Sequence, residues 1–452
     1  MSDLANNLFG INGVRGVVNE ALTSDVALRL GRAIGRYYNG PVAVATDTRI
    51  TADMIKNSVV AGLLAEGCNV FDLGTIPIPA LQYFVKTHDD VLGGIMITAS
   101  HNTAEYNGMK CISSNGDELG DAGKMKIEEN YGEEIRQNPK KIGTVTNIVR
   151  AGEEYITAIY NYVNHQDIKR SKLRVVVDCA NGAASYTTPS LLQKLGVYTV
   201  TLNANPQGEF PGRPSEPTEE NLSDVIALIK AAGADLGVAH DLDGDRASFI
   251  TSEGRFIPGD VALALMAKFL LKGRKGRVVT PVSTSSIVED IVNESGGSVV
   301  YTAVGSPIVA KKMREVNAVF GGEESGGMIF PEFQYCRDQA LAMVMMLECI
   351  IADGPIHEQI RKLPVYYMEK RDIVCPEEKK DILLEHIIDN CSEGKIDTTD
   401  GVKVFFGDGW VVARPSGTED KFRFFSESTE MDIAVARADE FEKDALEFLS
   451  SI

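Results

Sequence analysis

The chain has 452 residues, 44% hydrophobic and 7% aromatic, with a formal net charge of −19. That length exceeds one hydrophobic core and implies about three or four domains, and the acidity excludes a nucleic-acid reader, which needs concentrated positive charge. Met1–Asn7 has no basic or apolar stretch of a secretory signal, and no apolar run reaches the roughly 20 residues of a membrane span. Seven scattered cysteines (Cys68, Cys111, Cys179, Cys336, Cys349, Cys375, Cys391) without CxxC spacing read as reduced thiols of a cytoplasmic protein.

Residues 24–38 carry a helical period, with Val26, Leu28, Leu30, Ala33 and Ile34 apolar. Runs at 41–45 and 69–73 read as strands, and the helix between them completes a βαβ unit. The apolar run at 93–97 ends in Thr98-Ala99-Ser100-His101-Asn102. The rhythm restarts with a strand at 173–178, a helix at 187–195 and a strand at 197–202. The run at 234–240 then ends in Asp241-Leu242-Asp243-Gly244-Asp245-Arg246. A third round has a helix at 260–271, a strand at 277–280, a helix at 284–294 and a strand at 298–301. The run at 317–320 ends in Gly321-Gly322-Glu323-Glu324-Ser325-Gly326-Gly327.

Seams near 139–143, 253–254 and 363–364 divide the chain into domains 1–150, 151–253, 254–366 and 367–452. The first three are α/β. In the last, strands at 402–406, 410–413 and 422–427 lie between helices near 378–390 and 431–449, an α+β pattern. Trp410, the single tryptophan, reads as a core residue.

Short apolar strands that end in polar loops place functional residues beyond their carboxyl ends. Ser100 offers a hydroxyl nucleophile if a base or metal assists it; no G-x-S-x-G elbow surrounds it, which weighs against a serine hydrolase. Asp241, Asp243 and Asp245, spaced i, i+2, i+4, would face one side of an extended stretch and converge on a cation, with oxygen-only ligands suiting Mg2+. The glycine and acid positions do not fit an EF-hand, while a phosphatase of the haloacid-dehalogenase kind, with its D-x-D pair, remains a competitor. Glu323-Glu324-Ser325 among glycines can accept hydrogen bonds from sugar hydroxyls. Arg414-Pro415-Ser416-Gly417-Thr418-Glu419, between two strands, has the guanidinium, hydroxyls and turn N–H groups of a phosphate cradle, with Lys421 and Arg423 adding charge.

Taken together, these four clusters resemble the α-D-phosphohexomutase family over nearly the whole chain. Further matches are Phe9-Gly10-Ile11-Asn12-Gly13-Val14-Arg15-Gly16, Asp47-Thr48-Arg49, Tyr106-Asn107-Gly108-Met109-Lys110 and Glu216-Pro217-Thr218-Glu219-Glu220-Asn221-Leu222. The wording is most similar to archaeal members described as phosphomannomutase/phosphoglucomutase or phosphoglucosamine mutase.

The resemblance implies three related α/β domains with mixed sheets and a C-terminal α+β domain around a central cleft. It implies a phosphoserine at Ser100, with Mg2+ held by that group and by Asp241, Asp243 and Asp245. A hexose 1-phosphate becomes a hexose 6-phosphate through a hexose 1,6-bisphosphate, which also serves as activator. Arg15 and Lys110 would stand near the reacting oxygen, with Lys110 a general base if burial and neighbouring cations lower its pKa. His101 would assist proton transfer and Arg246 would steady the phosphoryl group. Glu323, Ser325 and Gly326 would meet the sugar, and Arg414, Ser416, Gly417 and Thr418 the phosphate that is not reacting.

The partners implied are small sugar phosphates of mannose, glucose or glucosamine, with no nucleic acid and no membrane, for a monomer or homodimer. Thr103, Gly327 and Asp420 depart from the family pattern: they stand where proline, histidine (in bacterial relatives) and proline are common. The rival functions are a Mg-dependent sugar phosphatase with Asp241 as nucleophile and a silent sugar-phosphate-binding protein.

Overall fold

The computed structural model describes residues 8–10, 13–133, 142–391, 395–417 and 420–452. Met1–Asn7, the Ile11-Asn12 part of the first motif, seam residues 139–141, and Thr418 with Glu419 lie outside the described residues. There are two compact units: one runs to Pro258 and takes in Ser325–Gln359, and the other comprises Gly259–Glu324 and Ile360–Ile452. No helix among the described residues is long and apolar enough to cross a membrane.

The first unit opens with a sheet of β1 (Val14–Val17), β2 (Val42–Thr46), β3 (Val70–Thr75), β4 (Gly93–Ile97), β5 (Tyr106–Ser113) and β6 (Val145–Asn147), in the order β1-β5-β4-β2-β3-β6. Strands β2, β3, β4 and β6 are parallel, and β5 is antiparallel to both its neighbours. The buried runs of β2 and β4, exposed on neither face, are what a sheet covered on both sides by helices requires. A second sheet contains β7 (Arg174–Asp178), β8 (Tyr198–Leu202), β9 (Leu236–His240), β10 (Ala247–Thr251) and β11 (Phe256–Ile257), in the order β11-β10-β9-β7-β8. Here β7, β8 and β9 are parallel, and β10 turns back antiparallel on β9.

In the second unit, β12 (Arg277–Pro281), β13 (Ser298–Thr302) and β14 (Phe320–Glu323) are parallel, in the order β13-β12-β14. The chain returns to the first unit for an antiparallel pair, β15 (Gly327–Phe330) and β16 (Gln334–Arg337), and the buried helix Gln339–Asp353. It ends in the second unit with β17 (Tyr367–Val374), β18 (Lys395–Asp397), β19 (Val402–Phe406), β20 (Gly409–Pro415) and β21 (Lys421–Ser428). These are antiparallel throughout, in the order β17-β21-β20-β19-β18. Helices Glu377–Asn390 and Met431–Ser451 contribute Leu383, Ile387 and Ala445 to its core. The expected helices and strands are thus present with ends shifted by a residue or two, except that the run at 317–320 gives a strand three residues later, Phe320–Glu323. Trp410 is buried against Val412 and Phe425, as a core residue should be.

Helix Ser24–Tyr38 departs in one detail from its sequence pattern. Its buried stripe is Ala27, Leu30, Ala33, Ile34 and Tyr38, while Leu28 is exposed. Leu28 lies two positions from Val26 and Leu30, on another side of a 3.6-residue turn. Glycines let this helix approach helix Ala52–Ala65 closely: a Cβ at Gly31 would lie 2.2 Å from the Val59 carbonyl oxygen, and one at Gly62 would lie 2.4 Å from that of Leu28. The pair covers β2, whose end carries Asp47. Gly31→Ala should therefore force the helices apart and lower stability by about 1–3 kcal/mol, read as a lower urea midpoint.

Candidate active site

In register, β2 and β4 pair Thr46 with Ile97, so the residues that follow, Asp47 and Thr98, emerge side by side at the carboxyl end of the sheet. Thr98 Oγ1 donates to Asp47 Oδ2 at 2.7 Å and accepts the Ser100 N–H at 2.9 Å. Asp47 also binds the Arg49 Nε at 3.0 Å. The Arg49 guanidinium then donates to the carbonyls of Ser100 (2.9 Å), Asn102 (2.7 Å), Thr103 (2.6 Å) and Tyr106 (2.8 Å). One buried cation thus fixes the whole serine loop. Ser100 itself has φ +50°, a left-handed conformation that costs a non-glycine residue of order 1–3 kcal/mol and is tolerated where the surroundings impose it. Thr103 is exposed, and its carbonyl is one of the four that Arg49 holds, so the loop is fixed without a proline there.

The acidic cluster joins β9 to β10, whose ends pair His240 with Ala247. It is not the extended stretch expected from its spacing: it is a tight loop with Gly244 at φ +70°. The carboxylates converge because Asp241 Oδ1 accepts the N–H groups of Asp245 and Arg246, both at 3.1 Å, and so closes the loop on itself. Asp241, Asp243 and Asp245 are all buried, and each offers an oxygen within 4.8 Å of the others.

Each carboxylate has one oxygen tied down and another presented. Lys110 Nζ donates to Asp243 Oδ2 and Asp245 Oδ2, both at 2.9 Å, while Asp243 Oδ1 and Asp245 Oδ1 are buried without a hydrogen-bond partner. Asp241 Oδ2 lies 3.2 Å from Ser100 Oγ, which donates to it. Burial, then Asp243 and Asp245, push Asp241 well above the usual carboxylate range. Asp245 is held low: burial works against its charge, but Arg337, Lys110 and Arg246 outweigh burial. Two orphaned buried oxygens, on Asp243 and Asp245, converging with Asp241 Oδ2 beside the serine hydroxyl, fit a divalent cation with oxygen ligands.

Around the serine stand further cations. Arg246 Nη2 lies 3.5 Å from Ser100 Oγ and 2.7 Å from His101 Nδ1. Because a guanidinium only donates, His101 Nδ1 accepts, which puts the imidazole proton on Nε2. Burial, then Arg246 and Arg15, lower the His101 pKa to about 3, so the ring is neutral at physiological pH. Arg15, on β1, donates to Asn102 Oδ1 at 2.8 Å. For Lys110 the condition for a general base is not met. Burial lowers its pKa, but Asp243, Asp245 and Glu118 overcome burial and raise it. It stands as a buried cation between two aspartates.

Arg337, which no sequence motif marks, ends β16 and donates to Asp245 Oδ2 at 2.5 Å. Nor does any motif mark Gln339, whose amide reaches the carbonyls of Asp245 (2.7 Å) and Gly326 (2.8 Å). The available signal was a charged pair, Arg337-Asp338, placed between an apolar strand and an apolar helix. Gly326, at φ +92°, would set a Cβ 2.5 Å from the Ala247 carbonyl, so the loop's third glycine lies tight on the start of β10. Ser325 is exposed.

In the second unit, Glu323 lies inside β14 rather than in the loop after it, and is buried. Its Oε1 accepts the Gly305 N–H at 3.0 Å. Arg414, at the end of β20, pairs through Nε with Asp400 Oδ2 at 3.0 Å, and the same oxygen accepts the Val304 N–H at 3.0 Å. Ser416 is buried, and its carbonyl accepts Lys380 Nζ at 2.8 Å. Gly417 and Asp420 are exposed. Lys421 and Arg423 lie 3.8 and 3.9 Å from Asp372 across the β17–β21 pair.

Three α/β/α domains with mixed sheets, a C-terminal domain with an antiparallel sheet, and a strained serine on a carboxylate triad define a phosphohexomutase, an intramolecular phosphotransferase. Residues 6–138, 153–254 and 258–367 match the alpha/beta/alpha domains I, II and III of phosphoglucomutase/phosphomannomutase, and residues 373–444 match its C-terminal domain. The chain is 42% identical over 434 residues to a phosphoglucomutase/phosphomannomutase of Thermococcus kodakarensis, covering 93% of this chain and 94% of the relative. It is 39% identical over 439 residues to a protein of Methanopyrus kandleri described as a "Probable phosphoglucosamine mutase", covering 96% of each. A crystal structure of a phosphoglucomutase/phosphomannomutase family protein from Burkholderia thailandensis superposes with a TM-score of 0.86 at 27% identity, covering 99% of this chain and 98% of that one. The chain belongs to the phosphoglucomutase/phosphomannomutase family.

Removing the Arg49 grip should misplace Ser100 without touching the triad. Arg49→Ala should lower kcat by about 100-fold, the scale of an ångström-sized misalignment, and should also lower the melting temperature. Steady-state kinetics with a thermal melt would measure both.

Proposed function

We propose that Ser100 carries the phosphoryl group of this mutase and that Asp241, Asp243 and Asp245 hold its divalent cation, Mg2+. The observation that carries this reading is the hydroxyl of Ser100, 3.2 Å from Asp241 Oδ2, with its backbone in the left-handed region beside acids that each present one oxygen. A bound Mg2+ would draw charge from a phosphoryl group on Ser100 and make the serine oxygen a better leaving group.

O6 of a hexose 1-phosphate would attack the phosphorus as the Ser100 Oγ–P bond breaks, with the O6 proton ending on the departing serine oxygen, giving a hexose 1,6-bisphosphate and a free Ser100 hydroxyl. The bisphosphate then turns over and returns its other phosphoryl group to Ser100, releasing hexose 6-phosphate, so that a trace of bisphosphate keeps the enzyme charged. Arg246, next to Ser100 Oγ, stabilises the transferring charge. His101, neutral with its proton on Nε2, donates a hydrogen bond rather than taking up charge. Lys110 and Arg15 supply positive charge near the reacting oxygen. On the motif match, Glu323, Ser325 and Gly326 read the sugar, and Arg414, Ser416, Gly417 and Thr418 hold the phosphate that is not reacting. The substrates are mannose, glucose or glucosamine phosphates. The protein acts in the cytoplasm, where its free cysteines stay reduced.

A phosphatase would place the nucleophile on Asp241, and that is the reading to test. With Mg2+, glucose, mannose or glucosamine 1-phosphate and a trace of bisphosphate, phosphorus NMR should show 6-phosphate and no inorganic phosphate. Ser100→Ala should reduce turnover at least 1,000-fold, the scale of an essential nucleophile. Inorganic phosphate as the main product, or a fully active Ser100→Ala protein, would make Asp241 the nucleophile instead. Chelation with EDTA should abolish turnover, and added Mg2+ should restore it.

A further inference from the structure

Gly327 and Arg337 meet across the β15–β16 pair. Ile329 is the register partner of Arg337, which puts Gly327, two residues from Ile329, on the diagonal of the same face. A Cβ at Gly327 would lie 2.2 Å from Arg337 Cδ and 2.9 Å from its Cγ, so the arginine stem fills the space a side chain would need. The stem has little room to move. Its backbone belongs to β16, it is only 4% exposed, and its guanidinium donates to Asp245 Oδ2 at 2.5 Å, with Glu118 at 3.8 Å. Two residues on, Gln339 holds the Asp245 carbonyl. One short segment therefore grips both the main chain and the carboxylate of Asp245.

We propose that Arg337 is a positioning residue for the divalent-cation site, and that Gly327 is there to admit it. Arg337 holds Asp245 Oδ2, which leaves Oδ1, buried and without a hydrogen-bond partner, as the oxygen turned to the metal. Arg337 shares Oδ2 with Lys110, so that oxygen has two charged partners and Oδ1 none by hydrogen bond. The proposal rests on the triad being the metal site. Groups that orient a metal ligand from behind change metal affinity by about 10–100-fold when removed. A simple countercharge would do the opposite, because removing a cation beside a metal site relieves repulsion and tightens binding.

Direct titration of the full-length, unphosphorylated protein with Mn2+, following free Mn2+ by electron paramagnetic resonance, separates the two. Arg337→Gln should weaken Mn2+ binding by about 10-fold or more. Gly327→Ala, which leaves every charged residue in place, should weaken it to a similar degree by displacing the stem. The double variant should be no weaker than Arg337→Gln alone, since both changes break the same contact. Arg337→Lys keeps a buried charge and covers the case in which Arg337→Gln does not fold; it should lie between Arg337→Gln and the unaltered protein. Unchanged or tighter binding in Arg337→Gln or Arg337→Lys, or an unaffected Gly327→Ala, would overturn the proposal. An unaltered protein that binds no Mn2+, or an Asp243→Asn variant that binds it equally well, would instead remove the metal reading on which the proposal rests.

Discussion

Three carboxylates buried within 4.8 Å of one another are the constraint around which this site is built. Two like charges about 4 Å apart repel by roughly 4 kcal/mol at an effective dielectric near 20, so three of them cannot stay ionised together without help. The chain meets this in two layers. Lys110, Arg246 and Arg337 approach from the protein side, and the Asp245 and Arg246 N–H groups close on Asp241. What remains is Asp243 Oδ1 and Asp245 Oδ1, buried without a hydrogen-bond donor, and Asp241 Oδ2, which meets only the Ser100 hydroxyl by hydrogen bond. The layout suits a cation that arrives from outside.

The fold supplies this geometry by placing the carboxyl ends of its parallel strands together. β2 delivers Asp47 and Arg49, β4 delivers Thr98 and Ser100, and β9 delivers the acidic loop. Thr98 Oγ1 lies 3.3 Å from Asp243 Oδ2, so the two loops touch before any ligand is considered. Arg213 anchors the second sheet in a comparable way, binding Asp178 at 3.0 Å and the His240 carbonyl at 2.5 Å, just ahead of Asp241. The serine's left-handed backbone is held by these contacts and would otherwise relax. Rigidity at this point has a chemical purpose, because phosphoryl transfer depends on positioning and electrostatics more than on covalent help.

Much of this was legible in the sequence, and the reason is physical. Parallel strands buried on both faces are short apolar runs, and the polar residues that follow them mark the loops that carry chemistry. Ser100 and the three aspartates were found that way. The grips of the supporting residues are not readable, because their partners lie far away along the chain: Arg49, although part of a matching motif, is 51 residues from Ser100, and Arg337, in no motif, is 92 from Asp245. Lys110 shows the same limit. Its type and place were readable, but the direction of its pKa shift is decided by acids 133 and 135 residues distant. The i, i+2, i+4 spacing suggests an extended stretch because spacing cannot reveal that Gly244 takes a left-handed turn or that Asp241 binds its own loop. The glycines around Glu323 read as a turn in the sequence, although Gly321 and Gly322 continue β14.

If Ser100 is the way station for the phosphoryl group, as proposed, a label on it must pass through the sugar. Protein carrying a labelled phosphoryl group should be mixed with one equivalent of unlabelled hexose 1-phosphate and quenched within a single turnover. The account predicts that label leaves Ser100 and appears in hexose bisphosphate and then hexose 6-phosphate, with none in inorganic phosphate. Label found on Asp241, or lost directly to water, would contradict it.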